Sequence, residues 1–397
     1  MEMAPRLLLS QTRAVRNACR LALALGVASL VATASPGTVQ STHLTIIVGV
    51  TDDTAKWMVR QNGIVGVHRD LRLMAVRVTL PWRPGQVRPT KLQGVYLHRI
   101  ARMAQLNDRI VLAVYNKAEY APTTRKARDR YCAFVLGAVR RIPLIHDVEI
   151  WNEANSPTYW PARSGAEAYV KLLARCYDVL HSRPFPINVI SSTASRHDPA
   201  DFIFALGDAY RSLGRSAPLF DTFGHNPYGE DSAEPPWALH ADSDLIGEGD
   251  YETLMNVLHT AFDDTGQPVP GQRGTTIWYV EDGFQTVPPS DKRRYYHGRE
   301  NDPDALPSVS SRTASGGGSV DQSTQLRDAV LLAYCQPAVS GFFNFGLLDE
   351  ARLGGWQSGL LYRDGTRKPA YDAFKALIAE VRLRNTDCSK VRGAPQD

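Results

Sequence analysis

The chain has 397 residues, 43% of them hydrophobic and 22% charged, which is enough apolar material for a large buried core. Its 45 basic and 41 acidic side chains leave a net charge of +4, spread along the chain with no long basic run and no basic-aromatic ribbon. That distribution argues against a nucleic-acid partner, and the absence of Cys-x-x-Cys and His-x-x-x-His spacings argues against a structural zinc site.

At the N-terminus Arg6, Arg13, Arg16 and Arg20 precede an apolar run over residues 21–31, and Ala32-Thr33-Ala34 follows with small side chains. This is the pattern of a secretory signal peptide spanning residues 1–34. The run is far shorter than the roughly 20 apolar residues that span a bilayer. We therefore expect a secreted, extracytoplasmic protein with no membrane attachment after signal removal. Cys19 would leave with the signal, and Cys132, Cys176, Cys335 and Cys388 would remain, an even number that permits three pairings. Cys132 and Cys176 fall on successive predicted helices and the other two lie towards the C-terminus, so Cys132–Cys176 and Cys335–Cys388 are the expected disulfides.

Across residues 35–384, short β-branched apolar runs alternate with amphipathic segments. The predicted strands are 44–50, 74–80, 109–115, 147–151, 188–192, 222–225, 276–280 and 341–345, and their apolar character suits parallel strands covered on both faces. Between them, Asp198-Pro199 reads as a helix start, and Ser164, Asp250 and Asp321 are candidate caps for three other helices. In residues 91–107, Leu92, Val95, Ile100, Met103 and Leu106 approximate one apolar face. The segment 250–264 stops before Gly266, a candidate C-cap.

Eight such units in one domain make a (β/α)8 TIM barrel, of the α/β class, the economical fold, with residues 385–397 as a C-terminal tail. A doubly wound sheet binding a dinucleotide would show a Gly-rich turn after its first strand, whereas that strand runs into Thr51-Asp52-Asp53-Thr54. In a barrel the functional residues gather at the C-terminal ends of the strands, where the candidates below fall. The stretch 288–320, rich in charge, Ser, Gly and Pro, follows the seventh strand; its composition suits a lid or substrate wall as well as a disordered insertion.

Glu153 follows the fourth predicted strand in Ile150-Trp151-Asn152-Glu153, and Glu281 follows the seventh in Ile277-Trp278-Tyr279-Val280-Glu281. Hydrolysis of a glycosidic bond with retention needs one carboxyl to protonate the leaving oxygen and another to attack the anomeric carbon, the two about 5 to 5.5 Å apart. Glutamates at the ends of two barrel strands can meet that requirement. Other acids expected near the same face are Asp52, Asp53, Glu119, Asp198, Asp282, Asp349 and Glu350. Strand alternation points Asp282 away from whatever Glu281 faces.

With Asn152-Glu153 after strand four and Glu281 after strand seven, the chain resembles the clan of retaining (β/α)8 glycoside hydrolases that includes the cellulase-like families. The resemblance implies Glu153 as acid/base, Glu281 as nucleophile and Asn152 as a ligand of the sugar 2-hydroxyl. Arg77 on strand two resembles the clan's arginine that steadies the nucleophile. His225-Asn226-Pro227-Tyr228 after strand six is similar to its His-x-Tyr-like element with one residue extra, which makes Tyr228 the candidate to hold the nucleophile, with His225 nearby. The clan's strand-eight tryptophan is missing from Gly341-Phe342-Phe343-Asn344-Phe345, so Phe345, Trp356 or Trp82 is expected as a sugar platform, unless these rings are core packing.

The resulting expectation is a retaining glycoside hydrolase acting on an oligo- or polysaccharide, monomeric, with no metal or organic cofactor. In it Glu153 has a raised pKa and Glu281 is kept ionised by Arg77 and Tyr228. A non-catalytic carbohydrate-binding barrel and a transglycosylase are the alternatives.

Overall fold

The computed structural model describes residues 45–57, 62–104, 109–182, 184–185, 187–297, 321–353 and 355–395. The expected signal peptide, and residues 298–320 of the long segment after the seventh predicted strand, lie outside them. Nine strands, β1 (Ile47–Thr51), β2 (Ala75–Pro81), β3 (Arg109–Tyr115), β4 (Ile145–Ile150), β5 (Asn188–Ile190), β6 (Thr193–Ala194), β7 (Thr222–Asn226), β8 (Thr276–Asp282) and β9 (Val339–Phe345), make one parallel sheet. Their order is β5-β4-β3-β2-β1-β9-β8-β7-β6, and β5 and β6 both pair with β7. These two short strands are therefore pieces of a single stave, and the sheet closes as an eight-staved barrel.

The fifth stave breaks for a local reason. The Ser192 N–H donates to the Tyr169 hydroxyl (2.9 Å) instead of to a neighbouring strand. Gly224 on β7 lies against the break, where a Cβ would sit 2.1 Å from the Ser191 carbonyl oxygen, so only glycine allows the approach.

The connections carry α1 (Thr54–Trp57), a single turn, and then α2 (Asn62–Leu71), α3 (Lys91–Ala104), α4 (Arg125–Arg141), α5 (Gly165–His181), α6 (Pro199–Ser212), α7 (Tyr251–Phe262), α8 (Gln322–Cys335) and α9 (Pro369–Arg382), one behind each stave. Because successive side chains on a strand face opposite ways, there are two cores. Ala75, Val111, Ile190, Trp278, Val280 and Phe343 fill the barrel interior. A larger layer, including Val76, Leu112, Val148, Leu173 and Leu332, packs between strands and helices.

Several local expectations are revised. Asp321 accepts a bond from the Thr324 N–H and caps α8 as expected. Asp198 stands at the α6 N-cap but in the left-handed region, with no side-chain capping bond. Asp250 precedes α7, yet its carboxylate accepts from the backbone N–H of Gly247 (2.8 Å) and of His240 (2.9 Å), in the loop before the helix. Gly266 is not the α7 C-cap: the left-handed residue is Asp264, and Gly266 is required by its closeness to the Ser216 carbonyl. On α3 the buried face is Tyr96, Leu97, Ile100 and Met103, while Leu92 and Val95 are 50% and 42% exposed. A Thr90–Gln93 capping box sets the start of that helix, with each side chain bonded to the other's backbone N–H.

Both expected disulfides form. Cys132 on α4 joins Cys176 on α5, and Cys335 at the end of α8 joins Cys388, with Cα separations of 5.0 and 5.5 Å. At the N-terminal end of the barrel, Asp147 is fully buried. It accepts from Arg109 Nε (2.5 Å), Arg109 Nη2 (2.7 Å) and Asn188 Nδ2 (2.8 Å), and Asn188 in turn accepts from Thr222 (2.8 Å).

Candidate active site

Three staves deliver charge to the C-terminal end of the interior. Arg77 comes from β2, Glu149 from β4 and Glu281 from β8. Arg77 is fully buried, and four of its five N–H donors are engaged. Nε and Nη2 fork onto Glu149, Nη2 also donates to Asn152 Oδ1 (3.0 Å), and Nη1 donates to Glu281 Oε1 (2.5 Å). The bidentate grip on Glu149 fixes the guanidinium plane, so the remaining nitrogen meets Glu281 in one geometry.

Glu153 is held by a strained turn. Trp151 and Glu153 have φ of +69° and +39°, a region costly for residues with a side chain. Surrounding bonds hold the turn in place. The Trp151 N–H donates to the Val114 carbonyl (3.2 Å) and the Tyr131 hydroxyl (3.1 Å), its indole N–H donates to the Tyr159 carbonyl (2.6 Å), and the Glu153 N–H donates to Ser192 Oγ (3.0 Å). The Glu153 carboxylate itself accepts from Asn226 Nδ2 at 2.9 Å.

The electrostatics depart from the expected split. Burial pushes the Glu153 carboxyl up, opposed by the Asn226 bond. Burial also pushes Glu281 up, to about 8, against the pull of Arg77 and with help from the Glu153 charge. Glu281 is thus not simply held ionised. One guanidinium is bonded to Glu149 and Glu281 and acts on Glu153 only through space, so the proton affinity of the Glu153–Glu281 pair is raised and the titration belongs to the pair.

Both glutamates line a cavity of about 410 Å³ at the mouth of the barrel, within the range of small-molecule sites. Tyr228, Phe345 and Trp356 line it together, the Trp356 ring lying 5.0 Å from Tyr228 and 5.6 Å from Phe345. Tyr115 and Tyr159, which the sequence reading missed, add an edge-on pair at 5.6 Å.

Arg77 and Asn152 are buried and do not line this cavity, and two further expected site residues stand in the core. Trp82 is fully buried off the cavity lining, edge-on to Tyr131 with its indole N–H on the Gln86 carbonyl, and is core packing. His225 is also fully buried: Nε2 meets the Ile246 carbonyl (2.9 Å) and Nδ1 meets Thr193 Oγ1 (3.0 Å). Since a carbonyl only accepts, that network assigns the proton to Nε2, and burial pulls the ring pKa down to about 4. The neighbouring Asn226 is the residue of this motif that reaches a glutamate. Tyr228 lines the cavity, but among the described residues no hydrogen bond joins its hydroxyl to Glu281.

The other acids separate by their partners. Asp52 accepts from the backbone N–H of Thr54, Leu347 and Leu348, Asp53 is bound by Lys56 and Thr79, and Asp349 by Lys368, Tyr296 and the Gly359 N–H. Glu350 also lines the cavity, whereas Glu119 and Asp198 do not. Asp282 lines it beside Glu281, contrary to simple alternation, because the β8–β9 register shifts between Tyr279 and Asp282. Glu149 was the other omission. Its signal was a pair of acids two residues apart, Asp147 and Glu149, in a short strand with the apolar Ile145, Val148 and Ile150. Among the described residues no group of three or more His, Cys, Asp and Glu is arranged to hold a metal, and no helix is long and apolar enough to cross a membrane.

A closed parallel barrel with this charged mouth has the fold of the clan A-like (β/α)8 glycosidases. Solved structures similar to the chain include a family 39 glycoside hydrolase from the gut symbiont Bacteroides cellulosilyticus (TM-score 0.59, 16% identity, covering 86% of this chain and 65% of that one). A β-glucosidase from Exiguobacterium marinum has TM-score 0.53 and 10% identity, with coverage of 86% and 100%. A GH5_18 protein from Bifidobacterium longum subsp. infantis has 0.53 and 15%, with coverage of 85% and 79%. The chain spans just under two thirds of the length of the first of these. At such identities the likeness is one of fold. No family model and no curated protein matches the chain at the sequence level.

Proposed function

We propose that this protein is a retaining glycoside hydrolase acting on an oligo- or polysaccharide. The observation that carries the reading is the pair of carboxyls in one cavity with unequal partners: Glu281 has the Arg77 guanidinium at 2.5 Å, and Glu153 has only the Asn226 amide. In the reactive form the single proton of the pair sits on Glu153 and the charge on Glu281, the arrangement that Arg77 favours.

Glu153 gives its proton to the glycosidic oxygen as the Glu281 carboxylate attacks the anomeric carbon, so the C–O bond breaks and a glycosyl ester forms. Glu153, now ionised, takes a proton from water, which attacks the anomeric carbon and releases Glu281. Asn152, fixed on Arg77, is the candidate partner of the sugar 2-hydroxyl, and the rings of Trp356, Phe345 and Tyr228 are the candidate platforms. The two disulfides support the reading of an extracytoplasmic protein, and a monomer suffices for this mechanism.

The test is a panel of activated aryl glycosides with wild type, Glu281→Ala and Glu153→Ala. Glu281→Ala is expected to lose roughly 10⁴-fold or more in turnover. Glu153→Ala is expected to recover with azide, giving a glycosyl azide of retained configuration. Full activity in Glu281→Ala sinks the proposal. Binding without turnover by wild type identifies a carbohydrate-binding barrel instead, and sugar-acceptor products at high acceptor concentration identify a transglycosylase.

A further inference from the structure

Asp282 is the cavity's least compensated acid beyond the catalytic pair. It is 3% exposed and lines the cavity next to Glu281. Among the described residues its one hydrogen bond comes from the Gly283 N–H to Oδ1, at 2.8 Å. Behind it Glu248 is also buried, and its carboxyl is pushed up by that burial first and by the charge of Asp282 next. The Tyr228 hydroxyl feels Glu281, Asp282 and Glu153 together, so Asp282 belongs to the same chamber as the pair.

Among the described residues no cation of the site bonds Asp282. Arg77 is committed to Glu149, Glu281 and Asn152. Lys56 bonds Asp53 and Thr79, and Lys368 bonds Asp349, Thr286 and the Gln357 carbonyl. Arg196 donates to the Gly229 and Glu230 carbonyls, and Arg363 to the Asp349 carbonyl.

A buried carboxyl left short of donors is costly unless something completes it. We propose that Asp282 is a third substrate-facing carboxyl, accepting a hydrogen bond from a sugar hydroxyl, and that it selects at that ring position for an uncharged glycoside over one bearing a carboxylate or sulfate. The inference rests on the saccharide reading of the cavity. Where Asp282 is ionised, an anionic group brought to it meets like charge with no cation among the described residues to offset it, whereas a hydroxyl supplies the missing donor.

Glycan-array binding by the Glu281→Gln chain, in which turnover is removed, reads the selectivity without requiring activity. Neutral oligosaccharides are expected to bind, and their uronate or sulfated counterparts to bind roughly 10-fold or more weakly. Adding Asp282→Asn is expected to weaken neutral binding by a similar factor and to narrow the gap to the anionic sugars, with Asp282→Ser and thermal unfolding as controls for folding. Equal binding of neutral and anionic glycans, a profile unchanged by Asp282→Asn, or no glycan binding at all overturns the inference. Selective, Asp282-dependent binding by a wild type that hydrolyses nothing leaves the inference standing and removes the hydrolase reading. Hydrolysis with a selectivity indifferent to Asp282→Asn does the reverse.

Discussion

At the N-terminal end of the barrel Asp147 receives three hydrogen bonds, two of them from the guanidinium of Arg109. At the C-terminal end the guanidinium of Arg77 is divided between Glu149 and Glu281, while Glu153 and Asp282 have only amide donors. Both ends bury acid on β4. The difference teaches what each end is for: the lower one matches charge with charge and is structural, and the upper one keeps carboxyls with raised proton affinity, a state that costs stability and supplies acid-base chemistry.

The sharpest break of this comparison is to exchange the two arginines for methionine, one at a time. Arg77→Met leaves two buried carboxylates without a cation and is expected to cost about 3–5 kcal/mol in denaturant unfolding, with a kcat loss that remains after correction for the folded fraction. Arg109→Met is expected to cost less, about 1–2 kcal/mol, because the Arg109 side chain is 43% exposed and its pair is partly screened. Its kcat and pH profile should match wild type. Equal effects of the two variants on the pH profile would erase the distinction between the ends.

A smaller effect concerns Asp282. Burial raises its pKa from 3.8 to about 7, so between those values the folded state holds a proton that the unfolded state has lost. Its contribution to stability is therefore full below about pH 4 and disappears as pH rises through about 7. Asp282→Asn is expected to match wild type near pH 4 and to melt a few degrees higher at pH 8. A variant that melts lower than wild type at pH 8 would show that Asp282 has a partner in the folded state. The finest test is Asn226→Ala. Its amide stabilises the ionised form of Glu153, so removing it should move the alkaline limb of kcat/KM to higher pH, by up to about one unit. A shift to lower pH would remove Glu153 from the role of acid.

The staves were legible because each is an apolar run bounded by turn residues, and the Glu153 and Glu281 positions followed from counting them. Arg77 stood out as a charge inside such a run. Glu149 carries the same signal, yet only contact with Arg77 distinguishes a buried ligand from a strand-end acid. Alternation failed at Asp282 because a register shift is set by neighbouring strands, and the break in stave five arose from a hydroxyl on α5 reaching Ser192. Trp82 and His225 had site-like positions in the chain, but their side chains turn into the core, a choice made by packing partners remote in sequence. The exposed Leu92 and Val95 show the same limit, since residues 91–107 admit more than one apolar stripe.

The most direct measurement is covalent trapping with an activated 2-deoxy-2-fluoro glycoside of whichever sugar the aryl-glycoside panel selects, read by mass spectrometry of proteolytic peptides. A single glycosyl adduct on Glu281, lost in Glu281→Gln and retained in Asp282→Asn, is the predicted result. An adduct on another carboxyl, or turnover that gives the inverted anomer and no adduct, would contradict the account.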